Sequence, residues 1–167
     1  MFTISIIIAF GIVGILVKKK YERENEFYKF LKNFHQYYIS NVSLFKNNVV
    51  EIIDNYIIMH KNKSANYIKI FAKSNNIYQF NHEIIERNII KKEDAVIVLN
   101  YLNNIGKGEY VFEKEKIYEF SKYLDVKIDE SLIDLKNKGE LYFKLLLAIG
   151  AVIAIILWWK YGCFNII

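Results

Sequence analysis

The sequence predicts an all-α fold, a small cytoplasmic helical bundle flanked by an N-terminal and a C-terminal transmembrane helix. Three observations lead there. Proline is absent from all 167 residues, which favours long uninterrupted helices over turn-rich sheets. The ends are apolar: residues 1–17 carry no charged side chain, and neither do residues 145–159. Charge gathers between them, with all 18 acidic and 21 of the 23 basic residues between positions 18 and 140, a net +3 over that stretch. The layout is therefore residues 1–17 a span, 18–140 a soluble domain, 141–159 a second span and 160–167 a short outer tail.

A bilayer-crossing helix takes about 20 apolar residues, with about 17 at the short limit. The run MFTISIIIAFGIVGILV meets that limit, and Lys18, Lys19 and Lys20 follow it, able to snorkel and lengthen the span. No basic residue precedes the run and no small-x-small site follows it, so it reads as an anchor and not as a cleaved signal. The second run, LYFKLLLAIGAVIAIILWW, holds Lys144 one turn inside its start, from where the ammonium can reach the headgroups. Trp158 and Trp159 close it as interfacial aromatic anchors. Gly11 and Gly14 in the first run, and Gly150 and Ala154 in the second, offer small-residue faces for helix packing.

Orientation follows from the basic residues beside the two runs. Lys18, Lys19, Lys20, Arg23, Lys136, Lys138 and Lys144 lie on the central side, against Lys160 alone on the other. The central domain is expected in the cytoplasm, with both termini outside the cell membrane.

Within the middle, Phe27, Phe30, Leu31, Phe34, Tyr37 and Tyr38 recur at three and four residues, one helical stripe from about residue 20 to 39. Nothing interrupts the chain between Val17 and Tyr21, so this helix is expected to continue the first span. Ser43 is the expected N-cap of a helix carrying Val49, Ile52, Ile53, Tyr56 and Ile57 and ending near His60. A third helix is expected over Tyr67, Ile68, Ile70 and Phe71, stopped by Ser74, Asn75 and Asn76. Ile84, Ile85, Ile89 and Ile90 come next. A stripe of Val96, Leu99, Leu102 and Ile105 follows, closed by Gly106-Lys107-Gly108. The last helix starts near Tyr110 and carries Ile117, Phe120, Leu124, Ile128, Leu132 and Leu135. Gly139 costs it about 1 kcal/mol at most, so it is expected to run directly into the second span.

Chemistry is hard to place on this pattern. His35, His60 and His82 are dispersed, without second ligands at metal spacing. Asp125 and Asp129 share a helical face, but lysines surround them and the pair reads as solvated surface. The run Glu113, Lys114, Glu115 and Lys116 reads as a solvated face as well. Gly106-Lys107-Gly108 lacks the spacing of a phosphate-binding loop. The single cysteine, Cys163, leaves no intrachain disulfide and reads as an inert thiol. A mildly basic domain without aromatic interleaving is no nucleic-acid module. No catalytic, cofactor-binding or metal-binding residue is expected, and no enzyme.

One set of residues does carry a pattern. Ile105-Gly106 forms a turn, Glu109 is an acid three positions on, and Ile117 is an isoleucine eight beyond that. A long charged helix then enters an apolar run through Leu141-Tyr142 with Gly150 inside it. Near the front, Leu44-Phe45-Lys46 is followed by Val50-Glu51-Ile52-Ile53. In this order the chain resembles the stage III sporulation protein AB family of endospore-forming bacteria, itself similar to the inner-membrane platform protein of type II secretion. Two positions depart from the family pattern: Glu113 stands for a glutamine and Leu146 for a first glycine.

The resemblance implies a non-enzymatic membrane platform in the channel complex between mother cell and forespore, within the mother-cell or outer forespore membrane. Its implied partners, besides the lipid bilayer, are a cytoplasmic secretion-type ATPase, stage III sporulation protein AA, and other stage III membrane proteins. A reading from another class is a membrane-tethered helical scaffold or regulator unrelated to sporulation.

Overall fold

The computed structural model describes residues 2–45, 49–60, 84, 89–105 and 110–162. Among the described residues there are helices and no strand. In chain order they are α1 (Phe2–Phe45), α2 (Val49–Met59), α3 (Lys92–Asn104), α4 (Tyr110–Asp134), a π-helical turn (Leu135–Gly139) and α5 (Glu140–Gly162). The chain divides into two compact units, one of Glu24–Glu130 and one of Met1–Arg23 with Ser131–Ile167.

The 44-residue α1 passes without interruption from its apolar start through the lysines, as the absence of any breaker predicts. It does not end near residue 39. Ser40 Oγ donates to the Gln36 carbonyl at 2.9 Å and Asn41 Nδ2 to that of Tyr37 at 2.8 Å. These polar side chains bond back onto their own helix and are absorbed by it instead of stopping it. Ser43 consequently lies inside α1 and is not the cap of α2, which begins at Val49.

In the unit of Glu24–Glu130, the predicted stripe of α1 is the spine of the core. Phe27, Phe30, Leu31, Phe34 and Tyr38 are buried, with Tyr28 and His35 beside them. The helix α2 contributes Ile52, Ile53 and Tyr56, and α4 contributes Phe120 and Leu124. Tyr56 is gripped by aromatic rings, with centroids 5.2 Å from Phe34, 5.2 Å from Tyr37 and 4.1 Å from His60. Each large apolar side chain buried this way is worth about 1.5–3 kcal/mol.

In α3 the buried face is Ala95, Val98, Leu99 and Leu102, and Val96 points outward. The expected stripe was therefore rotated by one position at its start. Consecutive apolar residues from Ala95 to Leu99 leave more than one register open, and packing selects the one with the small Ala95 inward. Ile105 is buried but lies beyond the helix, extended at φ −62° and ψ 133°, its N–H still bonded to the Tyr101 carbonyl. Ile84, Ile89 and Ile90 are buried in the same core. The helix expected over residues 67–76, Ile85 and the Gly106-Lys107-Gly108 stop lie outside the described residues.

The second unit is built from the start of α1, the π-helical turn and α5. Gly14 lies against Phe143, Gly11 against Leu147, and Gly150 against Phe10. Tyr21 packs on Gly139. Rising numbers on one helix meet falling numbers on the other, so the two helices are antiparallel neighbours. The approach is close: a methyl group added at Gly150 would come within 2.9 Å of Phe10 Cβ, and one at Gly14 within 3.0 Å of Phe143 Cδ2. The small residues singled out in the two apolar runs thus form one packing seam, and Ala154 is buried in line with it.

Away from that seam the unit is apolar as well. Ile4, Ile8, Ile12 and Leu16, four residues apart, are all exposed, as are Leu145, Val152, Ile155 and Ile156 on α5. Among the described residues one helical stretch, ending in α5, is long and apolar enough to cross a membrane, and only 11% of its most apolar part is buried.

Candidate functional site

The helices α3 and α4 lie side by side in the unit of Glu24–Glu130, joined by the stacked rings of Tyr101 and Phe120, 3.6 Å between centroids and 7° from parallel. His35 of α1 meets both edge-on, at 5.4 and 5.5 Å. Its Nδ1 is 2.6 Å from the Tyr101 hydroxyl, while Nε2 has no hydrogen-bond partner among the described residues. Burial lowers the imidazole from its ordinary 6.5 to about 4, and the Ile117 backbone and the Asp125 charge pull weakly the other way. The ring is neutral at pH 7. The bond to the Tyr101 hydroxyl and edge-on packing against both stacked rings hold His35 in place.

On the outer side of the stacked pair is a cavity of about 300 Å³. Ile97, Tyr101, Ile105, Ile117, Phe120 and Tyr123 make its apolar walls, and Asn100, Asn104, Lys116 and Glu119 its polar margin. A recess of this size and lining accepts an apolar group such as a partner's side chain. His35 does not line it.

Tyr123 connects this wall to a buried charge network. Its hydroxyl donates to Asp94 Oδ1 at 2.8 Å, and Lys127 Nζ lies 3.1 Å from the same oxygen. Lys127 also reaches Glu130 Oε2 at 2.9 Å and stands 5.8 Å from the Tyr123 ring centroid. Burial first, and the hydrogen bond to Asp94 second, hold the Tyr123 phenol protonated well above its ordinary range. For Tyr28 the causes are burial and then the Asp94 charge, with the same outcome. Burial disfavours the Lys127 ammonium, but the hydrogen bonds to Glu130 and Asp94 outweigh it and the pKa is raised. Asp94 sits in the first turn of α3, where the helix dipole also favours a carboxylate. The network ties α3 to α4, and Lys32 of α1 pairs with Asp125 of α4 nearby. Asn25 Nδ2 adds a bond to the Ile128 carbonyl at 3.2 Å.

The residues singled out in the sequence fall in separate places. Ile117 lines the cavity and Gly150 packs on Phe10 in the other unit, while Gly106 and Glu109 lie outside the described residues. Lys18, Lys19, Lys20 and Lys144 share one end of the antiparallel pair, and Trp158 and Trp159 stand exposed toward the other. Asp125 and Asp129 are exposed, and Lys114, Glu115 and Lys116 form a solvated face as expected. In the sequence His35 appeared only as one of three dispersed histidines, and Asp94 was not singled out. Among the described residues no group of three or more His, Cys, Asp or Glu is placed to hold a metal ion.

No protein-family model, curated protein or solved structure matches the chain.

Proposed function

We propose that the chain is a non-enzymatic membrane platform, with spans at residues 1–17 and 141–159, a cytoplasmic helical domain over 18–140 and both termini outside. The observation that carries this reading is the antiparallel apolar pair. Its glycines are spent on a tight seam while its aliphatic side chains face outward. In water such a surface would drive association, whereas in hydrocarbon it costs nothing and the seam supplies van der Waals packing. The asymmetry of Lys and Arg about the pair supports the orientation.

The partner is taken from the resemblance to the stage III sporulation protein AB family: a secretion-type ATPase of the stage III sporulation protein AA kind, docking on the domain at residues 18–140 within a mother cell-forespore channel complex. The apolar recess beside Tyr101 and Phe120 is a concave feature suited to such a contact. The experiment is co-purification of the full chain, in detergent, with that ATPase assembled as a ring. Retention of the ATPase, weakened by Ile117→Asp at the recess, is the expected result. No retention under conditions where the ATPase ring is intact would sink the platform role and leave the tethered scaffold. Reporter fusions bear on orientation: an enzyme active only outside the cytoplasm should report when fused after Ile167 and stay silent when inserted at Asn75.

A further inference from the structure

We propose that the lysine-rich end of the apolar helix pair is a binding collar for anionic phospholipid headgroups, an inference that rests on the membrane reading above. The register of the pair decides which charges meet. With Tyr21 on Gly139 and Gly14 on Phe143, residues 18–23 of α1 run alongside residues 136–144. Seven cations are gathered there: Lys18, Lys19, Lys20 and Arg23 from one helix, Lys136, Lys138 and Lys144 from the other side. Three carboxylates accompany them, each engaged within its own helix: Glu22 with Lys18 at 3.7 Å, Asp134 with Lys138 at 2.8 Å, and Glu140 with Lys144 at 3.9 Å.

That leaves Lys19, Lys20, Lys136 and the guanidinium of Arg23 without a carboxylate partner among the described residues, all exposed. Arg23 donates from Nε to the Lys19 carbonyl at 3.3 Å. A surplus of four positive charges at one level of the pair therefore stands open. The opposite end carries Lys160 alone.

What distinguishes a lipid from a free anion is the surface directly beside the charges. Leu16, Leu141 and Leu145 are exposed on the apolar side of the collar. A headgroup phosphate held by the lysines thus has its acyl chains laid along leucine, and a dissolved phosphate gains nothing from that neighbour. Phosphatidylglycerol and related acidic lipids have this chemistry, and basic residues next to a span attract them by about fivefold in affinity for each charge at the surface.

The test uses the full chain in phosphatidylcholine vesicles with a trace of nitroxide-labelled lipid. Electron paramagnetic resonance then reads the fraction immobilised against the protein. Labelled phosphatidylglycerol should be immobilised about fivefold more strongly than labelled phosphatidylcholine. The triple variant Lys19→Gln, Lys20→Gln, Lys136→Gln should lose that preference while still immobilising phosphatidylcholine, which shows that the pair remains folded and inserted. High salt should erase it too, since about 1 M salt screens beyond about 3 Å. Equal immobilisation of both lipids by the unaltered chain overturns the collar and leaves the membrane reading standing. Displacement of the labelled phosphatidylglycerol by soluble glycerophosphate at constant ionic strength also overturns it, in favour of a free-anion site. Immobilisation of neither lipid overturns the collar and the membrane reading together.

Discussion

His35 and Asp94 are both buried, and their surroundings answer that burial differently. Asp94 is met by the Lys127 ammonium, the Tyr123 hydroxyl and the start of α3. Severing such a buried pair by removing one partner costs far more than the pair itself contributes, because the other charge is left uncompensated. His35 has no comparable counter-charge and gives up its proton instead. The consequence for stability has a definite sign. The unfolded imidazole takes a proton near pH 6.5 and the folded one near 4, so the unfolded chain binds more protons between those values. The contribution of His35 is therefore complete above pH 6.5 and is lost as the pH falls toward 4, by about 3 kcal/mol at most. Thermal unfolding of the full chain in detergent should show the melting temperature dropping between about pH 7 and about pH 5. His35→Phe should flatten that slope, whatever it does to the absolute melting temperature. An unchanged slope in the variant would assign the acid sensitivity to other groups. Neither residue was legible in the sequence. A single histidine inside an aromatic stripe looks like any surface histidine until the neighbouring rings are placed, and an aspartate in a first helical turn looks like an ordinary answer to the helix dipole.

At the scale of elements, the seam between α1 and α5 rests on individual glycines, and they are not equivalent. At Gly11 an added methyl meets Leu147 at an ordinary 3.5 Å, while at Gly150 it meets Phe10 Cβ at 2.9 Å. Gly11→Ala should accordingly keep the helix-propensity gain of about 1 kcal/mol. Gly150→Ala should lose that gain and about 1–2 kcal/mol more, because the helices must part or Phe10 must leave its rotamer. Unfolding in mixed micelles of increasing sodium dodecyl sulfate content separates the two, and equal shifts for both variants would mean the close approach does not exist. The existence of these helices was legible, since stripes at three- and four-residue spacing and an unbroken run past Val17 need only local information. Their ends were not. Ser40 and Asn41 bond back to Gln36 and Tyr37 and carry α1 past the expected stop, and only the folded backbone reveals that choice. The orientation of α3 was ambiguous for a related reason, because five apolar residues in a row define no single face.

The distribution of apolar surface distinguishes the molecule as a whole. The unit of Glu24–Glu130 gathers an aromatic and aliphatic core inside it, while the helix pair presents isoleucine, valine and leucine outward away from the seam. Segregation of this kind was legible from composition alone, because the charge-free runs mark it without any knowledge of packing. What composition left open was whether the two runs meet, and the Phe10–Gly150 and Gly14–Phe143 contacts answer that. Val152 offers the most direct physical test of where the pair resides. It is 55% exposed and lies near the middle of the expected second span. On a water-facing helix an exposed Val152→Arg falls within about 0.5 kcal/mol of neutral. At the centre of a bilayer the same arginine costs about 2.5–3.5 kcal/mol of insertion free energy. The unaltered chain should remain in the membrane pellet after alkaline carbonate extraction, and the variant should be recovered largely in the supernatant or degraded. An unaltered chain released by carbonate, together with a Val152→Arg variant as stable as its parent, would place the pair in water and remove the physical basis of the platform.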